Sequence, residues 1–289
     1  MRIAVLGAGH GGQAMAADLT LSGHEVRLAA VPEHASKIRL LRGMGGIRIE
    51  GVSSCGRADL PAVPAMMSDD PAAAIKGADI IFVVVPAFAQ DPYMDLIAER
   101  GEKGQLAVFA CGGFSALELR WRLLAAGRGG EILAGETSSF VYTAKIKSPG
   151  AVHIKDIKRD VLFAALPQEC SAGALERLNS LLPRFRQAHS VWQTSFTNPS
   201  ALLHTITTLL NMSRIELMGP YRNSHYDITP GVARVMEAVD DERVAIARRL
   251  YPDPLLRFRP YWTLLPSVKL TVRPSLPDCT ACVSPASIA

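Results

Sequence analysis

The sequence predicts an α/β domain built on a parallel sheet, followed by an all-α C-terminal domain. Three observations carry this. A short apolar run, Arg2 to Leu6, ends at once in the glycine-rich stretch Gly7-Ala8-Gly9-His10-Gly11-Gly12. Asp79 to Val85 (DIIFVVV) is a β-branched run that no polar residue interrupts after its first position, so it reads as a strand covered on both faces. Beyond about residue 198 the periodicity turns helical, over Pro199 to Met218 and again over Pro230 to Leu250.

Taken in order, Arg2 to Leu6 is a strand and Gln13 to Leu21 a helix, closed by Ser22-Gly23-His24 with Gly23 at its C-terminal end. Glu25 to Ala30 is the second strand, which completes a βαβ unit. Asp79 to Val85 and, more weakly, Gln105 to Ala110 continue the sheet. From about Gly135 the texture changes to shorter strands: Ser139 to Lys145, Ala151 to Ile157 and Asp160 to Ala165, with a turn at Ser148-Pro149-Gly150. Ala172 to Leu182 is helical, and Ser190 to Phe196 reads as a last strand or a connector. The expected domains are residues 1–192, 193–250 and a Pro-rich irregular tail, 251–289. That tail holds 7 of the 19 prolines, none of the 23 glycines, and Cys279-x-x-Cys282, which lacks a second ligand pair and reads as incidental. It is either a terminal arm or a stretch that has left its reading frame near residue 250, and the second reading is preferred.

The chain has 289 residues, more than one core usually supports, which favours two domains. Its 48% hydrophobic and 20% charged content excludes disorder. A net charge of +4 without a dense basic cluster gives no support for a nucleic-acid partner. No apolar run is long enough to span a bilayer or serve as a secretory segment. Five scattered cysteines suit a reducing cytoplasm better than a disulfide framework.

Gly7 to Gly12 fits GxGxxG, follows a strand and opens a helix, so the α/β domain is expected to be a Rossmann-type dinucleotide-binding domain. Gly7 permits the tight turn, Gly9 lets the backbone approach a pyrophosphate, and Gly12 lets helix and strand pack closely. The helix directs its N–H groups and positive dipole end at the phosphates. His10 either contacts the cofactor or is loop surface. NAD and NADP both stay open. The second strand ends without an acid to hold a ribose 2′-OH, and Glu33 lies beyond Pro32. Lys37 and Arg39 are near enough in sequence to meet a 2′-phosphate or are simply solvated, and the balance leans slightly to NADP.

In the second domain, Asn198-Pro199 reads as a helix start. At 100° per residue, Ser200, His204, Thr208 and Asn211 share one polar stripe on a helix otherwise apolar and expected to be mostly buried. His204, in mid-stripe, is either a satisfied core histidine or the acid–base group that a carbonyl or imine reduction needs; the stripe's place at the start of the second domain favours the latter. Asp240-Asp241-Glu242-Arg243 is expected to be a solvated charged face, and Asp227 to belong to the turn before the last helix.

Gly7 to Gly12 with Ala16, Val85-Pro86-Ala87-Phe88-Ala89, Gly135-Glu136-Thr137, and above all Asn198-Pro199 followed by His204 and Asn211, together resemble the opine dehydrogenases, the octopine/nopaline dehydrogenase family. Ile228 to Ala233 and Asp240 to Arg243 resemble that family's last long helix. The resemblance covers residues 1 to about 250. It implies an enzyme that condenses an amino acid with a 2-oxo acid and reduces the imine with NADH or NADPH. It implies further that His204 is the catalytic histidine, that Gly7, Gly9, His10, Gly11, Gly12, Pro86 and Ala87 meet the cofactor, and that Thr137, Lys145 and Asn211 meet substrate. Lys145 stands where many members carry arginine; it can neutralise a carboxylate but cannot form the bidentate fork. Cys111-Gly112-Gly113 departs from the Pro-Gly usual at that strand end. The family's C-terminal aspartate, partner of the histidine, has no counterpart after Tyr251, and family chains run on longer. Two alternatives therefore stand beside the opine reading: a dehydrogenase of a small 2-oxo or 3-hydroxy acid, and a truncated protein that binds nucleotide without catalysis.

Overall fold

The computed structural model describes residues 1–57, 60–198, 201–218 and 228–251. In chain order, the elements of the α/β part are β1 (Arg2–Leu6), α1 (His10–Leu21), β2 (Glu25–Ala29), α2 (Ala35–Gly43), β3 (Ile47–Gly51), β4 (Pro61–Ala62), β5 (Met66–Ser68), α3 (Pro71–Ile75), β6 (Ile80–Val83), α4 (Asp91–Arg100), β7 (Leu106–Phe109), α5 (Ser115–Ala125), β8 (Leu133–Thr137), β9 (Tyr142–Ser148), β10 (Ala151–Ile157), β11 (Val161–Leu166), α6 (Ser171–Asn179), β12 (Phe185–Gln187) and α7 (Val191–Phe196). A π-helical turn (Ala201–Thr205), α8 (Ile206–Leu210), α9 (Met212–Met218) and α10 (Pro230–Leu250) follow.

The main sheet has the order β12-β11-β8-β7-β6-β1-β2-β5. From β5 to β8 every pairing is parallel, the order of a dinucleotide-binding domain, with β1 and β6 side by side at the point where the winding reverses. β11 then pairs antiparallel with β8. Residues of β1 alternate between two cores: Ile3 and Val5 pack with α1, α2 and α6, while Ala4 and Leu6 pack with α3, α4, α5 and α7. Burial on both faces is what the uninterrupted apolar runs demand, and all four residues of β6 and of β7 are buried.

A second sheet, β4-β3-β10-β9, lies against α1. Three of its four strands come from sequence with no strong strand signal or an unexpected partner: β3 and β4 are short, and β10 pairs parallel with β3 about a hundred residues upstream. Asp18, fully buried on α1, joins helix and sheet. It accepts from Tyr142 Oη at 2.9 Å, Ser53 Oγ at 2.9 Å and the Ser54 N–H at 2.8 Å. Burial, reinforced by the Asp18 charge, raises the Tyr142 hydroxyl well above the ordinary tyrosine value.

Ser190 to Phe196 is a helix, α7, and neither a strand nor an irregular connector. Its apolar side, Val191, packs into the core under α5, and tertiary burial outweighs the β-branched and aromatic content.

The chain divides into two compact units. Among the described residues, one comprises those from 1 to 198 with 244–251, the other 201–218 with 228–243. In the second unit the expected single helix from Pro199 to Met218 is broken. It opens with a π-helical turn over Ala201–Thr205 and breaks again at Asn211. A turn with i→i+5 bonding advances less than 100° per residue, so the stripe deduced for a regular helix does not survive. His204 and Thr208 are exposed while Asn211 is buried, its Nδ2 donating to the Thr207 carbonyl at 2.8 Å. Leu209, Leu210 and Leu217 are exposed, so this segment is not the mostly buried helix expected. Leu202 and Ile206 pack on Val232 and Met236 of α10. Asp240 corrects another expectation. It is fully buried and bonded to Arg243 Nε at 2.7 Å, while Asp241 and Glu242 are solvated. The helix start at Pro199-Ser200, Asp227, and the tail with Cys279 and Cys282 lie outside the described residues.

Candidate functional site

A cleft of about 1100 Å³ opens at the C-terminal ends of β1, β2, β6 and β7, where the strand order reverses. Its floor is the loop between β1 and α1. Gly7 has φ +115°, a conformation only glycine adopts without strain, and a Cβ there would stand 2.5 Å from the Val84 carbonyl oxygen. At Gly11 a Cβ would meet the Phe140 ring at 2.8 Å. Gly9, by contrast, has nothing within 4 Å of the place its Cβ would take. Gly9 is also the N-cap of α1, and no side chain caps that helix. The first-turn N–H groups and the helix dipole therefore face the cleft, the arrangement that binds a pyrophosphate. Residues and cavity fit a dinucleotide.

His10, the first residue of α1, lines the cleft and is pinned. Its Nδ1 accepts from the Ile146 N–H at 2.9 Å, joining the glycine loop to β9. Pro86 and Phe88 line the opposite wall, and Ala87 between them is exposed on the rim. At the end of β2 the cleft is bounded by Val31, Pro32, Glu33, His34 and Lys37. Val31 donates its N–H to Tyr93 Oη at 3.2 Å, and burial pushes the Tyr93 hydroxyl above its ordinary value. Arg39 is exposed on α2. Glu33 and Lys37 thus border one end together, so the structure keeps an acid and a base available to a ribose.

Beyond β7 the wall is Ala110-Cys111, and a network behind it holds the β7–α5 loop. Glu136, fully buried at the end of β8, accepts from Thr194 Oγ1 at 2.6 Å, from Ser195 Oγ, and from the Ala116 N–H at 3.0 Å. Burial raises this carboxyl above the usual glutamate value, partly offset by those donors. Phe114 sits at φ +67°, donates its N–H to Ser195 Oγ at 2.8 Å, and packs its ring on Trp192 and Phe196. Asn198 Nδ2 donates to the Gly112 carbonyl at 2.6 Å. Thr137 is buried, with Oγ1 donating to the Ser139 carbonyl at 3.0 Å, and Lys145 is exposed on β9 opposite His153. Lys158, which no sequence pattern singles out, donates from Nζ to Ser139 Oγ at 2.5 Å. Among the described residues no group of three or more His, Cys, Asp or Glu is placed to hold a metal ion.

His204 and Asn211 belong to the second compact unit and the glycine cleft to the first.

Comparisons place these features among known proteins. Residues 187–273 match the family described as NAD/NADP octopine/nopaline dehydrogenase, alpha-helical domain, and residues 2–110 match a family of coenzyme F420-dependent NADP oxidoreductases. An opine dehydrogenase of Arthrobacter sp. (strain 1C) is 38% identical over 248 residues, covering 85% of this chain and 67% of that protein. Octopine dehydrogenase solved with NADH and L-arginine is similar in fold, with a TM-score of 0.67, 19% identity, and coverage of 87% of this chain and 65% of the other. Apo yersinopine dehydrogenase gives a TM-score of 0.71 at 17% identity, covering 86% and 64%. A PanE/ApbA family ketopantoate reductase from Ralstonia eutropha JMP134 gives 0.59 at 21% identity, covering 86% and 75%. The chain spans about two thirds of the length of the opine-type relatives it matches.

Proposed function

This chain belongs to the opine dehydrogenase family, and from that premise we propose that it is an NAD(P)-dependent oxidoreductase of small molecules, joining an amino acid to a 2-oxo acid as a secondary amine, or oxidising that amine. The observation that carries the cofactor part is the open position at Gly9 beside an uncapped helix N-terminus, at the reversal point of the sheet.

The reduced dinucleotide, when bound, supplies the hydride for the imine carbon. Gly9, Gly11 and Gly12 present main-chain N–H groups to its phosphates, Gly7 makes the turn with its own N–H held by the Ala29 carbonyl at 2.7 Å, and His10, Pro86 and Ala87 border it. Glu33 and Lys37 meet the adenosine ribose, Glu33 as acceptor for a 2′-OH and Lys37 as donor to a 2′-phosphate. The wall at Ala110-Cys111, held from behind by Glu136 and Asn198, closes the nicotinamide end. Thr137 and Lys145 serve substrate, Lys145 by neutralising a carboxylate. His204 gives a proton to the substrate nitrogen or oxygen in reduction and takes it back in oxidation, and Asn211 assists substrate binding. The match of residues 187–273, a range that contains Asn198, His204 and Asn211, to the family's alpha-helical domain supports this assignment. Among the described residues, the free thiols of Cys55, Cys111 and Cys170 suit a reducing cytoplasm.

The test is substrate dependence. NADH or NADPH oxidation is expected to require an amino acid and a 2-oxo acid together. Oxidation with the oxo acid alone identifies a simple 2-oxo acid reductase instead, and cofactor binding with no turnover identifies a nucleotide-binding protein.

A further inference from the structure

Tyr93, in the first turn of α4, is 2% exposed and lines the cleft beside Val31. Its Oη accepts the Val31 N–H at 3.2 Å. That bond occupies a lone pair and leaves the hydroxyl proton unspent, because a phenol donates one hydrogen bond as well as accepting. Among the described residues no acceptor takes that proton. A buried donor left unmade costs about 1–3 kcal/mol. The Tyr93 hydroxyl therefore finds its acceptor in the cleft, in water or in a ligand.

The place of this donor says which ligand group it meets. Val31 follows the end of β2, where a dinucleotide-binding sheet carries an acid for the adenosine ribose. Here the strand end reads Leu28-Ala29-Ala30-Val31, with no acid. The Tyr93 hydroxyl, brought in from α4, stands at that strand end instead. The exchange changes the chemistry. A carboxylate accepts from a ribose 2′-OH and repels a 2′-phosphate. A neutral phenol that already takes the Val31 N–H has a proton to give, and a 2′-phosphate dianion offers only acceptors. Such a bond is charge-assisted and stronger than one to a neutral hydroxyl. Burial and the charge of Glu33 keep the phenol protonated. His34 and Lys37 line the same end as basic groups, and Glu33 opposes them. All three are exposed, so solvent weakens each, whereas the Tyr93 hydroxyl is buried and fixed.

We propose that Tyr93 donates to the 2′-phosphate on the adenosine ribose and thereby sets this chain to prefer NADPH over NADH. This rests on the dinucleotide reading above and extends it, since Glu33 and Lys37 alone leave both cofactors open. Selection then comes from a helix on the far side of β6 as well as from the loop after β2.

The experiment uses the full chain and needs no substrate. Kd is measured for NADPH and NADH by cofactor fluorescence, and for 2′,5′-ADP and 5′-AMP by calorimetry. Wild type is expected to bind NADPH at least about 10-fold tighter than NADH, and 2′,5′-ADP tighter than 5′-AMP by a similar ratio. Tyr93→Phe should weaken NADPH and 2′,5′-ADP about 10–100-fold, the worth of one hydrogen bond to a charged group. NADH and 5′-AMP should stay within about three-fold, the scatter expected of a site they do not use. A merely structural tyrosine would weaken all these ligands alike, and that result overturns the proposal, as does an unchanged NADPH to NADH ratio. Val31→Asp leaves Tyr93 in place, gives its hydroxyl an acceptor and restores the acid, so it should turn the preference toward NADH. If Tyr93→Phe does not fold, an undiminished NADPH preference in Val31→Asp overturns the proposal instead. A wild type that binds both dinucleotides equally defeats the Tyr93 assignment alone. One that binds neither dinucleotide nor either fragment defeats the dinucleotide reading, and the assignment with it.

Discussion

A Cβ on Gly12 would lie 1.6 Å from the main-chain oxygen of Gly7. No side chain fits there unless the loop and the first helix separate. Gly9, three residues earlier, has open space on the same side. The two glycines therefore answer differently to substitution. Gly12→Ala is expected to lower stability by about 1–3 kcal/mol or more, as for an overpacked core. Gly9→Val should leave unfolding within about 0.5 kcal/mol of wild type but abolish the rise in melting temperature that NADH or NADPH produces. A retained thermal shift in Gly9→Val means that the loop does not hold a pyrophosphate.

His204→Ala is expected to reduce turnover by about 10²–10⁴-fold, the usual worth of a positioned general acid–base group. Cofactor affinity, read from the same thermal shifts, should barely move. His204→Asn keeps a hydrogen bond but cannot cycle a proton near neutrality, so it should be nearly as damaging. Full turnover in either variant shows that this exposed histidine is bystander surface.

Glu136 separates charge from hydrogen bonding. Glu136→Ala strips three donors of their acceptor and leaves a cavity, an expected cost of about 2–4 kcal/mol by denaturant melt. Glu136→Gln can keep its carbonyl on the Ala116 N–H while the Thr194 and Ser195 hydroxyls turn to accept, so the loss should be far smaller. The sign of the pH effect follows from the raised carboxyl. Its contribution is fully present below the unfolded-state value and is lost as pH rises through the higher folded-state value. Wild type should therefore lose stability relative to Glu136→Gln as pH rises from mildly acidic toward neutral; the opposite slope would show that the donors outweigh burial.

Tyr142 should stay silent in an alkaline spectrophotometric titration until the protein unfolds. Its folded-state value lies above the unfolded one, so the stability it confers is intact below about pH 10 and lost above. Tyr142→Phe removes a donor from the buried Asp18 and is expected to cost about 1.5–3 kcal/mol. An early phenolate signal lost in that variant would place the ring at the surface.

Much of this was legible in the residues. The runs from Ile3 to Leu6 and over Ile80–Val83 read as strands because burial on both faces leaves no polar residue in them, and the glycine loop read as a phosphate site because its spacing is sterically forced. The second sheet was not legible as a unit, since the pairing of β3 with β10 joins segments a hundred residues apart. The polar stripe through His204 assumed one helical period, and the π-helical turn breaks that period with no glycine or proline inside it to announce the change. Asp240 looked solvated because its neighbours Asp241 and Glu242 are, and local composition cannot reveal a burial decided by packing. Lys158 sits in a mixed-charge stretch, Lys155 to Arg159, where nothing in sequence sets one lysine apart.

The bonds at Asp18 have a kinetic consequence. One carboxylate on α1 ties Tyr142 of β9 and the Ser53–Ser54 segment after β3 to the helix that begins at the glycine loop. Local opening of the small sheet then breaks contacts that α1 shares, so the two should open as one cooperative unit. In amide hydrogen exchange, β9, β10 and α1 should lose protection together. A ligand seated at the start of α1 should slow exchange in β10, which does not line the cleft.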